Sequence, residues 1–142
     1  MKISGTGSAI PKKIVTNEML AEFLDTSDEW IRTRTGVHSR HVISDERLED
    51  LAIEAAEKAL ENAGLEAEDL DFIICSNVVN EYVTPQLSCI IQGGIGATCP
   101  CIDINCACAG FLGGYESEVR DHFSMCAAGV SVASIRVNGD IS

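Results

Sequence analysis

Residues 48–63 constrain this chain most. Leu48, Leu51, Ala52, Ala55, Ala59, Leu60 and Ala63 recur at helical spacing on one stripe, while Glu49, Glu54, Glu57, Lys58 and Glu61 fall mostly elsewhere. That pattern predicts an amphipathic helix, and Gly64 is a C-cap signal just past its end. Because the stripe is largely alanine, the helix is able to pack closely on a sheet. A partner follows in the sequence. Phe72-Ile73-Ile74-Cys75 is a short uninterrupted apolar run of the kind found in buried parallel strands.

The rest of the chain repeats this alternation. Lys2–Ile10 reads as a short strand closed by Pro11. Thr16 caps a helix over Asn17–Leu24, and Ser27 caps another over Asp28–Thr33 that Gly36 ends. Val37–Ile43 reads as extended. Pro85 fits the first turn of a helix carrying Leu87, Ile90 and Ile91. Cys101–Asn105 reads as a strand, and Ala107–Leu112 turns into a helix. Tyr115, Val119, Phe123 and Cys126 continue the helical spacing until Gly129 stops it, and Val130–Val137 reads as a final strand. The order predicts an α/β fold with a mainly parallel five-stranded sheet covered by helices.

At 142 residues the length fits one domain. Aromatic residues are only 5%, so the core must come from Ala, Val, Ile and Leu. The net charge of −12 repels nucleic acid and anionic membranes, which excludes both as partners. No apolar run approaches the roughly 18 residues of a membrane span. The first residues show no signal-peptide pattern. The seven cysteines are an odd number, unlike the paired set of a secreted disulfide scaffold. Free thiols in a reducing cytoplasm are the expectation.

Cys99, Cys101, Cys106 and Cys108 follow a C-x-C-x4-C-x-C spacing. Four thiolates can hold zinc, but zinc pairs usually leave two to four residues between cysteines, and Ile102 and Ile104 make the segment read as a strand. No metal site is expected. Most of the seven read as small core residues. Cys108 differs, because Asp103-Ile104-Asn105-Cys106-Ala107-Cys108-Ala109-Gly110-Phe111 runs from a strand into a helix among small residues. A tight strand-to-helix turn would hold Cys108 at a helix N-terminus. There, unpaired N–H groups and the dipole lower a thiol pKa and make a nucleophile.

Three blocks carry a family resemblance: Gly5-Thr6-Gly7-Ser8 with Pro11 and Thr16-Asn17; Asp25-Thr26-Ser27-Asp28-Glu29-Trp30-Ile31 through Arg34-Thr35-Gly36 to Arg40-His41; and Asp103 to Phe111. From residue 2 to about Leu112 the chain resembles the N-terminal half of beta-ketoacyl-acyl carrier protein synthase III, of the thiolase superfamily. Residues 1–142 are thus expected to form a truncated thiolase-like half-domain whose match is poor after about residue 112. The resemblance implies an acyltransferase of fatty acid biosynthesis. Such enzymes move a short acyl group from acyl-CoA onto the cysteine, then condense it with malonyl on acyl carrier protein. It implies Cys108 as nucleophile, Trp30 stacking on the CoA adenine, Thr26 beside the adenine and Arg34 on the nucleotide. It implies a homodimer, with Thr84 at the tip of a loop, Tyr82–Pro85, that reaches toward the partner subunit. No cofactor is implied beyond the CoA thioester substrate.

The family places a histidine and an asparagine in its C-terminal half, and His38, His41 and His122 do not sit in that motif. His38 and His41 read as structural. Arg32, Arg34 and Arg40 form the densest basic stretch, where a phosphate would be attracted. The alternative to an enzyme is a catalytically dead fragment that only associates.

Overall fold

The elements run in the order β1 (Lys2–Ser8), β2 (Lys13–Thr16), α1 (Asn17–Ala21), α2 (Asp28–Thr35), β3 (Ser39–Val42), α3 (Leu48–Ala63), a 3-10 turn (Ala67–Asp69), β4 (Leu70–Ser76), α4 (Leu87–Ile95), β5 (Cys101–Ile104), β6 (His122–Ala128) and β7 (Val130–Val137). The computed structural model describes residues 2–78, 80–107, 109–110, 122–128 and 130–137, the last two spans as backbone. The chain divides into two compact units, Met1–Ala9 with Arg47–Ser142, and Ile10–Glu46.

The larger unit is built on a five-stranded sheet ordered β1-β6-β7-β4-β5. The fold class matches the α/β expectation, but the sheet is mixed rather than mainly parallel. β1 pairs parallel with β6 and β4 with β5, whereas β6–β7 and β4–β7 are antiparallel. The cause is a second correction. Residues 122–128, expected to continue a helix, form β6, which pairs with β7 with Ala128 opposite Val130. Phe123, Met125 and Ala127 also recur every second residue. Over so short a segment the two periods are ambiguous, and pairing along β1 and β7 decides it. The expected helical positions Tyr115 and Val119 lie outside the described residues.

The helix α3 forms as its stripe requires. Ala55, Ala56 and Ala59 are fully buried, and Ala52, Leu51 and Leu60 nearly so. It packs against β1 and β6. The approach is so close that β1 must offer glycine. A Cβ on Gly5 would lie 2.6 Å from both the Ala59 carbonyl oxygen and the Ala63 nitrogen, and one on Gly7 would overlap the Ala55 carbonyl. The Gly5-Thr6-Gly7 block is therefore a packing surface for the alanine face. Ile73, Ile91, Leu70 and Leu87 complete the core. The buried hydrophobics among the described residues are aliphatic or cysteine, as the low aromatic content requires.

The helix α4 is positioned from another strand. Its N-cap residue, Gln86, makes no side-chain capping bond. Instead the Asp103 carboxylate, on β5, accepts from the first-turn amides of Leu87 (3.0 Å) and Ser88 (2.8 Å). It also accepts from Asn77 Nδ2 just past β4, at 2.8 Å. A carboxylate at a helix N-terminus satisfies orphan donors and complements the dipole. At the other end of α4, Gln92 Nε2 donates to the Cys99 carbonyl at 2.5 Å.

In the smaller unit, β2 and β3 form an antiparallel ladder from Lys13 opposite Val42 to Thr16 opposite Ser39. β2 was not anticipated. Thr16 caps α1, accepting from Met19 N at 3.3 Å. Asn17 is fully buried. Its Nδ2 donates to Asp28 Oδ1 and to the Val37 carbonyl, both at 2.8 Å, and its Oδ1 accepts from Arg40 at 2.6 Å. One amide thus ties α1, α2 and β3. His41 Nδ1 meets the Pro11 carbonyl at 2.6 Å, a structural role, as expected. Near the end of the unit, Glu46 accepts from the Lys12 amide (2.9 Å) and the Ser44 amide (3.2 Å).

Two predictions follow from these anchors. Asp103→Ala leaves two amides and the Asn77 side chain without their acceptor, and should lower unfolding free energy by about 2–3 kcal/mol, with Asp103→Asn costing less. Urea denaturation giving identical midpoints for Asp103→Ala and wild type would remove the anchor. The backbone bond from Lys12, with those around Ser44 and Glu46, lowers the Glu46 carboxyl from 4.5 to about 2. A depressed folded-state pKa stabilises fully above 4.5 and loses that contribution as pH falls toward 2. The stability gap between wild type and Glu46→Gln should therefore be constant at neutral pH and close between pH 4.5 and 2. A gap independent of pH in that window would contradict this role for the Glu46 carboxylate.

Candidate active site

The strand β5 ends at Ile104 and the chain enters a tight turn. Ala107 has φ 45, left-handed for a residue with a side chain. That conformation costs roughly 1–2 kcal/mol in an L-residue, and such strain concentrates where a side chain must be aimed. The turn is closed by Ala109 N to the Cys106 carbonyl and Gly110 N to the Ala107 carbonyl, both at 3.0 Å. Ala109 and Gly110 are already helical. This is the strand-turn-helix that the sequence predicts. Cys108 itself lies outside the described residues.

Two contacts set where the turn sits. Asn77 N donates to the Ile104 carbonyl at 3.2 Å, binding the end of β5 to the residue after β4. Gly110 is buried against Ser76. A Cβ there would overlap Ser76 Oγ and lie 3.2 Å from its Cβ and 3.5 Å from the Ile104 oxygen. The glycine after Cys108-Ala109 is therefore required by close approach to β4. Asp103, one residue before the end of β5, holds Asn77 and α4 in the same region. The sequence shows Asp103 and Gly110 inside the block around Cys108. Their roles are not legible there, because Ser76, Asn77 and Leu87 are distant in sequence.

The other cysteines fall into three environments. Cys75 and Cys99 are buried, and Cys89 and Cys101 are half-buried and adjacent. Cys106 is exposed, which corrects its expected place in the core. Burial pushes the Cys99 thiol up, and burial followed by the hydrogen bond to Cys89 does the same for Cys101. Raised thiols are poor nucleophiles at neutral pH. Among the described residues, no three His, Cys, Asp or Glu side chains are grouped to hold a metal ion. The side chain of Cys126 is not among those described.

In the smaller unit, Ser27 caps α2, accepting from Trp30 N at 3.1 Å. Asp28 and Glu29 occupy the first turn, and Arg32 and Arg34 the last, an order the helix dipole favours. Trp30 is 53% exposed. The Arg34 guanidinium stands over its ring, 4.4 Å from the centroid. The structure therefore brings two of the expected nucleotide-binding residues together as a cation–π pair. Thr26 lies on the loop before α2, with its Oγ1 buried and unpartnered. Arg40 is committed elsewhere, donating to the Val15 carbonyl at 3.2 Å and to Asn17. Of the three basic residues expected to draw phosphate, it is thus held as a structural brace.

The loop before α4 carries Tyr82 and Val83, and Val83 is 96% exposed. Tyr82 and Pro85 line a cleft of about 300 Å³ with Arg47, Glu49, Asp50, Ile53 and Ile90. Glu49 is buried and bonded to Arg47 at 2.5 Å.

Comparison with known proteins agrees with this arrangement. The model of the family described as Thiolase, N-terminal domain matches residues 29–116. A beta-ketoacyl-[acyl-carrier-protein] synthase III of Clostridium perfringens is 52% identical over 112 residues, covering 78% of this chain and 35% of its own length. The same enzyme of Xylella fastidiosa is 44% identical over 124 residues, covering 86% of this chain and 38% of its own length. The crystal structure of 3-oxoacyl-[acyl-carrier-protein] synthase III from Aquifex aeolicus superposes with a TM-score of 0.83 at 29% identity, covering 96% of this chain and 53% of that one. The chain therefore spans little more than a third of the length of the curated relatives it matches. With the strand-turn-helix of residues 101–110, the mixed sheet and a family match over more than half its residues, this chain belongs to the thiolase family, as a member carrying its N-terminal domain.

Proposed function

We propose that this chain supplies the acyl-accepting part of a beta-ketoacyl-acyl carrier protein synthase III, which initiates fatty acid biosynthesis. The observation that carries the reading is the turn at residues 105–110, with its left-handed Ala107 and its helix starting at Ala109. On this reading the Cys108 thiolate attacks the carbonyl of an acyl-CoA. The carbon–sulfur bond to CoA breaks, CoA leaves as its thiol, and the acyl group stays on Cys108. Condensation follows when malonyl on acyl carrier protein loses carbon dioxide and its carbanion attacks the acyl carbonyl, freeing Cys108.

Trp30, Arg34 and Thr26 receive the CoA nucleotide. A half-exposed indole backed by a guanidinium offers a flat aromatic surface beside a fixed positive charge, and Thr26 stands just before the Ser27 cap of the same helix. The exposure of Tyr82 and Val83, on the loop that carries Thr84, supports a homodimer. The free thiols support work in the cytoplasm. No helix among the described residues is long and apolar enough to cross a membrane. The reaction as proposed uses the CoA thioester and no further cofactor.

Two measurements test this reading. A helix N-terminal thiolate raises reactivity, so iodoacetamide at neutral pH should label Cys108 about tenfold faster than the exposed Cys106. Mass mapping that finds the two labelled at equal rates would remove the nucleophile argument. CoA should perturb the fluorescence of the single tryptophan, and Trp30→Ala should weaken CoA binding, read by calorimetry, by roughly 1–3 kcal/mol. Unchanged affinity in Trp30→Ala would place the nucleotide elsewhere.

A further inference from the structure

Cys89 and Cys101 stand apart from the proposed acyl transfer. Cys89 is the third residue of α4 and Cys101 the first of β5. Their sulfur atoms are 3.4 Å apart, with the Cys101 thiol donating. That is roughly 1.4 Å longer than a disulfide bond, and within the reach of small side-chain rotations. Both thiols are free and half-buried, so a small reagent has access without the pair being open to bulk partners.

The distance is held from both sides. Asp103 binds the amides of Leu87 and Ser88, immediately before Cys89, to β5 two residues after Cys101. Gln86 Oε1 accepts from the Asp103 amide at 3.4 Å. Three residues after Cys89, Gln92 binds the Cys99 carbonyl, two residues before Cys101. The helix and the strand are thus tied above and below the two sulfurs.

We propose that Cys89 and Cys101 form a reversible dithiol–disulfide site that a hydroperoxide oxidises. One sulfur attacks the peroxide oxygen, the O–O bond breaks, and the products are a sulfenic acid and water or an alcohol. The second sulfur then attacks the sulfenic sulfur, the S–S bond forms, and water leaves. Two electrons pass from the thiols to the peroxide, and both thiol protons end in the released water or alcohol. A small dithiol reverses the step by exchange and is itself oxidised. The cross-link closes the loop between residues 89 and 101 and pins α4 to the strand that feeds the Cys106–Gly110 turn.

The test is disulfide mapping of the full 142-residue chain after hydrogen peroxide and alkylation of the remaining thiols. The native protein should yield a Cys89–Cys101 cross-linked peptide as its dominant disulfide, reversed by dithiothreitol, with Tm raised by several degrees. In guanidinium the same reagent should give scrambled pairs with no such preference. Cys89→Ser and Cys101→Ser should each abolish the cross-link and the Tm shift, with circular dichroism reporting that each variant is folded. If either variant does not fold, the native and denatured arms of the wild-type chain still decide. Cys89 and Cys101 both recovered as alkylated thiols from the native chain, singly oxidised, or cross-linked no more than in guanidinium, would overturn the proposal.

Discussion

The Asp103 carboxylate is the interaction on which the larger unit's site depends. A helix of nine residues such as α4 gains little from propensity alone and needs its first amides satisfied. Its own N-cap residue, Gln86, makes no such bond, so the acceptor comes from the neighbouring strand. Asp103 adds the side chain of Asn77, whose backbone in turn holds the carbonyl of Ile104. The ends of β4 and β5 and the start of α4 therefore meet at one charged group. The turn at residues 105–110 leaves from that point, so its strained Ala107 is carried on a fixed base.

In the smaller unit the corresponding group is neutral. Asn17 is buried and satisfied on both sides of its amide, by Asp28, Val37 and Arg40. A buried amide with all partners in place specifies one arrangement, because any slip leaves an unpaired polar group in a dry site. Its bond to Asp28 places the first turn of α2, and with it Trp30 one helical turn before Arg34. The cation–π pair thus sits on a helix whose first turn Asn17 holds.

The cysteines show how position divides one residue type among several roles. Burial, with the Asp71 carboxylate nearby, pushes the Cys99 thiol up, and contact with a second sulfur makes Cys101 half of a pair. Exposure leaves Cys106, two residues before Cys108 in the sequence, open to reagent. Spacing in the sequence groups Cys99, Cys101, Cys106 and Cys108, yet the Cys101 thiol donates to the sulfur of Cys89, twelve residues away. Strand and helix geometry regroups them by what faces what.

Local pattern determined much of this protein. The alanine stripe of α3, the apolar run of β4, the caps Thr16 and Ser27 and the small-residue turn before Ala109 all act within a few residues of one another. Helical periodicity, capping and turn conformation are short-range effects, so the sequence displays them directly. The block around Cys108 was legible as a strand-to-helix turn for the same reason, whereas the roles expected of Trp30 and Arg34 came only from the family resemblance. The antiparallel placement of β7 between β6 and β4 was not. Residues 122–128 carry both a helical and an alternating pattern, and only the open edges of β1 and β7 resolve it into a strand. Nor could the sequence assign Asp103 to α4, Gly110 to Ser76, Asn17 to Arg40 or Cys89 to Cys101. Those pairings join residues twelve or more positions apart, and only packing of the finished tertiary structure brings their atoms within hydrogen-bond or van der Waals range.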